Sequence, residues 1–316
     1  MKKVLITGGS GFLGKNLALA MKDKYQVYLG SRNQSSLRRA SVSTQCEIVP
    51  LDVTSIDSVK DAMSYVSPDI VIHAAATKYV DWSEIHPHEA IDVNVLGGLN
   101  VFRAARDTSV ESLVFISTDK ASPPVVNTYG LSKAIIERSF ALSGAKHDMS
   151  VVSVRYGNVL WSTGSFLHVW EEMASSDTKL ITSTGSNMSR FFFTIHDAIS
   201  LVFLCLDNIQ LLKGSIVSLP MKTAAISDFL QVFCDIYGAT YTLVGQRGGE
   251  RDQEFLIGEA ELDYSSLITI DDNPLYQIIP NKSSDSPLQS VISSSTSPRL
   301  SLEEIRAHIL NKPHLL

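Results

Sequence analysis

Six short apolar runs, at residues 4–6, 26–29, 47–49, 70–73, 113–116 and 150–154, alternate with stretches that carry a helical pattern, at 13–24, 56–65, 87–106 and 129–143. The runs are rich in Val and Ile, apolar on both faces, and bounded by Gly, Asp, Pro or Ser. Strands of that kind belong inside a parallel sheet covered by helices on both sides. Because β-α-β crossovers are right-handed, the result is an α/β fold with a doubly wound parallel sheet. A helix at 199–206 and a strand at 215–219 read as a return to that sheet. Beyond residue 157 the texture changes to short helices, scattered Gly and Ser, and an acidic stretch over 250–272. The expected division is therefore 1–157 plus 192–219 for the sheet domain, and 158–191 plus 220–316 for a smaller C-terminal lobe. A Ser-dense loop is expected over 283–297, and a last helix over 301–310 with Ser301 as N-cap and Glu304 completing a capping box.

A chain of 316 residues with 44 % hydrophobic content can bury a large core. Its 27 Lys plus Arg against 33 Asp plus Glu give a net charge of −6, which argues against a dedicated nucleic-acid binder. Cys46, Cys205 and Cys234 cannot all pair and have no C-x-x-C spacing, as suits a reducing compartment. A strand already begins at Lys3, so no N-terminal signal is expected, and the longest apolar run, 191–206, is broken by His196 and Asp197. These features imply a cytoplasmic protein without a membrane span.

The first strand runs into Thr7-Gly8-Gly9-Ser10-Gly11-Phe12-Leu13-Gly14, which satisfies G-x-G-x-x-G at the start of a helix. Glycines there allow a tight turn and close approach of backbone to a pyrophosphate, and the helix N-terminus favours its charge. This reads as the dinucleotide-binding fingerprint of a Rossmann domain; the bland alternative is a Gly-rich structural turn. A site for NAD needs a carboxylate at the end of the second strand to bind the ribose hydroxyls. Here Ser31 and Arg32 occupy that place, with Arg38 and Arg39 close behind, so NADP is favoured over NAD. The bland alternative is that these arginines are solvated surface groups. Asp52 and Val53 follow the third strand, where they are expected to hold the adenine. Ala74, Ala75 and Ala76 follow the fourth, where small residues let a cofactor pass.

Tyr129 and Lys133 form Y-x-x-x-K at the start of a helix, on one face. A nearby ammonium favours phenolate, which predicts a lowered Tyr129 pKa. Upstream lies Ser117-Thr118-Asp119-Lys120-Ala121. An adjacent acid and amine suit a dehydration, with one group to protonate a leaving hydroxyl and one to take the proton beside a carbonyl. The alternative is a surface salt bridge. His73 reads as a packed core residue, as do Phe191, Phe192 and Phe193. His86 and His88 lack further ligands, so no metal site is expected.

The glycine turn, the Tyr/Lys pair and Ser117–Thr118 together resemble the extended short-chain dehydrogenase/reductase superfamily. Further segments sharpen the likeness: Ala74-Ala75-Ala76-Thr77-Lys78 and the helix start at 84–90, Arg155-Tyr156-Gly157-Asn158-Val159 with Gly164-Ser165, Met188-Ser189-Arg190-Phe191, and Val244-Gly245-Gln246-Arg247-Gly248-Gly249-Glu250-Arg251. From Lys3 to about Ile257 the chain resembles the inverting UDP-N-acetylglucosamine 4,6-dehydratases of surface-polysaccharide and pseudaminic-acid biosynthesis. It departs from their pattern at Thr77, in the polar and aromatic run 80–83, and at Gly248, Arg251, Asp252 and Gln253, which puts the identity of the sugar in question.

The resemblance implies an NADP-dependent, redox-neutral lyase acting on a UDP-sugar. Thr118, Asp119, Lys120, Tyr129 and Lys133 would be catalytic, with Lys120 a neutral amine that abstracts the C5 proton and Asp119 the acid at C6. Tyr129, Lys133 and Lys78 would also contact the cofactor. Lys78, Asn158, Arg190, Arg247 and Glu250 would line the sugar-nucleotide site, unless Arg190 and Arg247 are structural ion pairs. By the same likeness the protein would be a homo-oligomer, and Leu96, Leu99 and Phe102 would serve either the core or a subunit contact. The competing readings are a UDP-sugar 4-epimerase of the same superfamily and a non-catalytic NADP-sensing regulator.

Overall fold

The computed structural model describes residues 1–144, 147–185 and 188–313. The first half of the chain supplies β1 (Lys3–Thr7), β2 (Gln26–Ser31), β3 (Glu47–Pro50), β4 (Ile70–His73), β5 (Ser112–Ile116) and β6 (Ser150–Val154). The second half supplies β7 (Asn158–Val159), β8 (Leu180–Ser183), β9 (Ser189–Phe193), β10 (Ile216–Ser218), β11 (Thr223–Ala225), β12 (Thr240–Leu243), β13 (Phe255–Ile257), β14 (Ser265–Ile270), β15 (Asn273–Ile278) and β16 (Ile292–Ser293). One nine-stranded sheet has the order β14-β15-β10-β6-β5-β4-β1-β2-β3. It is parallel from β3 to β10, and β15 and β14 add antiparallel strands at the far edge. This is the doubly wound fold anticipated from the alternating pattern, with β1 third from the β3 edge.

Side chains of one strand point alternately to the two faces, and both faces are covered. Val4 and Ile6 pack with Leu17 and Val202 from helices Phe12–Met21 and Ile195–Asp207. Leu5 lies on the other side with Met63, Val101 and Phe140 from helices Ile56–Val66, Gly97–Arg106 and Thr128–Gly144. Phe102 joins this second core and Leu99 packs against it, while Leu96 stays 48 % exposed. Phe191 and Phe193 enter the first core, whereas Phe192 enters the core of the lobe with Trp170, Phe229 and Phe233, so β9 serves both.

Three local features differ from expectation. The helix expected over 87–106 carries a π-helical segment, Ile91–Leu96, between Pro87–Ala90 and Gly97–Arg106. Helix Gln34–Thr44, which buries only Leu37, Ala40 and Thr44, gave no clear apolar period and is set by the Asn33 cap on Ser36 N. The stretch 265–278 belongs to the large sheet, not to the lobe expected over 220–316. There β14 and β15 form a hairpin across Asp271 and Asp272, both with positive φ (48° and 62°), as a two-residue turn between twisted strands requires.

The lobe is built from the short sheets β11-β9-β7, β12-β8 and β13-β16 and from helices Phe166–Ala174, Ile226–Tyr237 and Leu302–Leu310. The last helix has the expected capping box between Ser301 and Glu304. Among the described residues no helix is long and apolar enough to cross a membrane.

Candidate active site

A cleft of about 1210 Å³ runs from the glycine turn across the carboxyl ends of the strands into the lobe. At its start Gly8 has φ +69°, and a Cβ there would sit 2.8 Å from the Ala75 backbone, so only glycine permits this approach. Thr7 supports the same crossing: its hydroxyl lies 2.7 Å from His73 Nδ1 and accepts from Ala75 N. Gly11 is the N-cap of helix Phe12–Met21 without any capping side chain, and Ser10, Gly11, Phe12, Leu13 and Gly14 line the cleft opposite Ala74, Ala75 and Ala76. Uncapped first-turn N–H groups against a strand end without side-chain bulk fit a dinucleotide diphosphate. Ser10 donates to Ser31 (2.9 Å), and Arg32 lies at the rim, 3.7 Å from Glu89. Behind Ser10 a smaller recess of about 380 Å³ is lined by Lys15, Ser36 and Arg39.

Asp52 and Val53 are not among the lining residues. The Asp52 carboxylate accepts from the Thr54 N–H and hydroxyl (3.0 and 2.8 Å), and Val53 packs where Gly97 has no side chain.

The elements that carry the candidate catalytic residues meet farther along. β5 ends at Ile116, and Thr118 caps the short turn Asp119–Ala121. Helix Thr128–Gly144 presses its first turn onto this one at Gly130, where a Cβ would come within 2.2 Å of the Lys120 carbonyl oxygen. That contact sets the Tyr129 side chain beside Thr118 in the wall of the cleft. Thr118 in turn donates to Asp119 Oδ1 (3.0 Å), and Lys120 Nζ donates to the same oxygen (3.1 Å). Thr118, Lys120, Tyr129 and Lys133 line the cleft, while Asp119 lies directly behind them, fully buried, with Oδ2 unbonded among the described residues.

Three electrostatic expectations are corrected. The Tyr129 pKa is raised, because burial outweighs the lowering by Lys120 and by the neighbouring Thr118 hydroxyl. Lys133 does not act on the phenol as expected: its Nζ donates to the Ile116 carbonyl and sits 4.2 Å from the centre of the Phe115 ring, and burial brings its pKa down to about 7. Lys120 also differs. Burial pulls its pKa down, yet Asp119 and Glu254 more than offset this, so the resting group is an ammonium rather than a neutral amine.

The lobe side of the cleft contains Asn158, whose Oδ1 accepts from Lys120 (3.4 Å), and Lys78, which reaches across to the Thr163 carbonyl. Arg190 is buried and donates to the Ser189 carbonyl (2.9 Å). Arg247 pairs with Asp81 at 3.3 Å, and Glu250 accepts from Arg247 N and Thr184. Asn158, Lys78, Arg190, Arg247 and Glu250 all line the same cleft, as does Asp81.

Sequence reasoning passed over Glu254 and Asn94. Glu254, 2 % exposed, lines the cleft with its oxygens 3.8–3.9 Å from Lys120, Arg190 and Arg251. Its only signal was a carboxylate four residues after Glu250 in a segment already noted for the unusual Arg251. Asn94, in the π-helical segment, bonds both backbone groups of Thr77 and the Ser132 hydroxyl, tying the Ala74–Lys78 loop to the Tyr129 helix.

This sheet, glycine turn and Tyr/Lys helix define an extended short-chain dehydrogenase/reductase. Over residues 4–269 the chain matches, and belongs to, the family described as polysaccharide biosynthesis protein. It is 34 % identical to an uncharacterized membrane protein of Methanocaldococcus jannaschii, covering 83 % of this chain and 82 % of that one. It is 32 % identical to a UDP-glucose 4-epimerase of Rickettsia bellii (98 % and 96 % covered) and 30 % identical to an inverting UDP-N-acetylglucosamine 4,6-dehydratase of Campylobacter jejuni (89 % and 83 %). The X-ray structure of Pen from Bacillus thuringiensis superimposes with a TM-score of 0.90 at 27 % identity, over 100 % of this chain and 98 % of that one. The Thermus thermophilus UDP-glucose 4-epimerase in complex with NAD shares the fold at 19 % identity, with a TM-score of 0.71 and 99 % and 100 % covered.

Proposed function

We propose that the protein is an NADP-dependent 4,6-dehydratase that converts UDP-N-acetylglucosamine, or a close relative, to a UDP-4-keto-6-deoxy sugar with inversion at C5. The observation that carries this reading is the Asp119–Lys120 pair, with Lys120 in the wall of the cleft beside Thr118 and Tyr129 and Asp119 bonded to it from directly behind. Oxidation at C4 needs only Tyr129 and Thr118 beside the cofactor. Expelling water from C5–C6 needs an additional acid and base, and the pair supplies both.

A nicotinamide dinucleotide bound along the glycine turn supplies the hydride acceptor for C4 and the hydride that returns to C6. Tyr129, a neutral phenol at rest, takes the O4 proton while its own proton passes to Thr118 and from there to Asp119. The proton so placed on Asp119 makes it the acid for the departing C6 hydroxyl. Lys120, as the free amine, takes the C5 proton made acidic by the C4 ketone. Arg190 and Arg247 are suited to a diphosphate, and Glu250 to a ribose hydroxyl. NADP is supported by Arg32 and by the recess where burial and Arg39 lower the Lys15 pKa, since an anion set between two cations relieves both.

A 4-epimerase is the second reading, supported by the Rickettsia relative, which matches nearly the whole chain. It would leave Lys120 and Asp119 without a task. Incubation with UDP-N-acetylglucosamine and catalytic NADP, followed by mass spectrometry, separates the two. Loss of one water without accumulated NADPH is expected, with solvent deuterium at C5. An unchanged mass with an inverted C4 would select the epimerase.

A further inference from the structure

Lys120 poses a problem for a dehydratase. The amine must be unprotonated to take the C5 proton, and it sits at rest as an ammonium. Its Nζ faces three acceptors: Asp119 Oδ1 at 3.1 Å, Asn158 Oδ1 at 3.4 Å and Glu254 Oε1 at 3.8 Å. Asn158 cannot hold a proton. Asp119 Oδ1 already accepts from Thr118, along the line that brings the O4 proton, and one carboxylate cannot store two protons. Two protons have to be parked beside this cleft, and Asp119 and Glu254 give it two buried carboxylates.

We infer that Glu254 is the positioning residue that takes the resting proton of Lys120 and so frees the amine for C5, a role that rests on the dehydratase reading. The Nζ–H bond breaks as an Oε1–H bond forms on Glu254. The nitrogen lone pair then takes the C5 proton, the C5–H electron pair forms the C5–C6 double bond, and the C6 hydroxyl leaves as water with the proton of Asp119. When Lys120 returns a proton to C5, Glu254 gives its own back and the cycle closes.

The surroundings of Glu254 fit this role. It is 2 % exposed, and its Oε2 has no hydrogen-bond partner among the described residues. Burial raises its proton affinity and Asp119 raises it further, while Lys120, Arg190 and Arg251 pull it down. Lys120 in turn is held as an ammonium by Asp119 and Glu254 and pushed away from it by the like charge of Arg190. Carboxylate and ammonium are thus poised against each other. Proton transfer between them exchanges a buried ion pair for a neutral pair, which a low-dielectric site tolerates well. The transfer requires the gap of 3.8 Å to close by movement of the Lys120 side chain, whose Nζ is held by one bond each to Asp119 and Asn158.

The test is the pH profile of C5 deuterium incorporation and water loss, in the full-length protein with UDP-N-acetylglucosamine and NADP. Wild type should be nearly flat through neutral pH, because the proton only moves within the pair. Glu254→Gln should lose roughly 100-fold at neutral pH and regain activity as the pH rises, since Lys120 must then lose its proton to solvent. Glu254→Asp, which restores a carboxylate, should restore the flat profile. A Glu254→Gln protein with the wild-type rate and profile would overturn the inference. So would a loss that is equal at every pH and is not relieved in Glu254→Asp, which marks a structural role. A wild type that leaves the sugar mass unchanged would overturn the dehydratase reading itself, before any variant is made.

Discussion

Two buried ionic clusters, one around Arg155 and one around Glu254, are built to different standards. In one, Arg155 donates to Glu137 (Nε, 3.2 Å), to Glu261 (2.7 and 2.8 Å) and to the Leu256 carbonyl (2.8 Å), with a further bond to Glu137. Glu261 is completed by Ser122 and the Gly258 N–H. In the other, Glu254 meets its three cations only at 3.8–3.9 Å. Asp119 Oδ2, Glu254 Oε2 and all three nitrogens of Arg251 have no hydrogen-bond partner among the described residues. A satisfied cluster fixes β6, the Tyr129 helix and the turn Glu259–Tyr264 in one arrangement. An unsatisfied one holds charges free to be regrouped, because buried polar groups that lack partners gain most from acquiring them.

The largest effect should come from the first cluster. Arg155→Met strands Glu137 and Glu261 in the interior and should lower the unfolding free energy by roughly 3–5 kcal/mol, read from urea denaturation. A loss below about 1 kcal/mol would erase the distinction between the clusters. Asp119→Asn, in the second, should reduce water loss about 100-fold, or ~2.7 kcal/mol of barrier, while the denaturation midpoint moves little. If instead the protein unfolds as readily as Arg155→Met, the second cluster is scaffold too.

His73 combines both standards in one ring, with Nδ1 bonded to Thr7 and Nε2 unbonded among the described residues. Burial lowers its pKa to about 3, from an ordinary 6.5. The unfolded chain therefore binds a proton that the folded one refuses between those values. Its contribution to stability is whole above pH 6.5 and lost as the pH falls toward about 3, by up to ~1.4 kcal/mol per pH unit. The difference in urea midpoint between wild type and His73→Asn should slope in that window and be level above it. A difference that stays level through acid pH would mean the ring is protonated in the fold. The smallest effect belongs to the rim, where Arg39 donates to the Ser35 and Ser36 hydroxyls. Arg39→Ala should weaken NADP about 10-fold, ~1.4 kcal/mol, and leave NAD unchanged by calorimetry. Equal weakening of both would move the phosphate elsewhere.

The chain order of apolar strands, the glycine turn, the Tyr129/Lys133 spacing and the Ser301 cap were legible without coordinates, because each depends on residues within a turn or two of one another. The hairpin β14–β15 was obscured by the acidic residues around it. Its signal, a two-residue Asp-Asp turn between β-branched runs, is weak where only one face is buried. Thr118, Asp119, Lys120 and Tyr129 could be named as a group from their order in the sequence. Their ionisation could not. Tyr129 is held as a phenol by burial, and Lys120 as an ammonium by Asp119 beside it and by Glu254, which is far along the chain. Glu254 and Arg251 reach that point only because the lobe folds back over the end of β5. Local pattern thus determined which candidate groups the chain carries. Charge states depend on through-space distances and solvent exclusion, and those were decided by the tertiary structure alone.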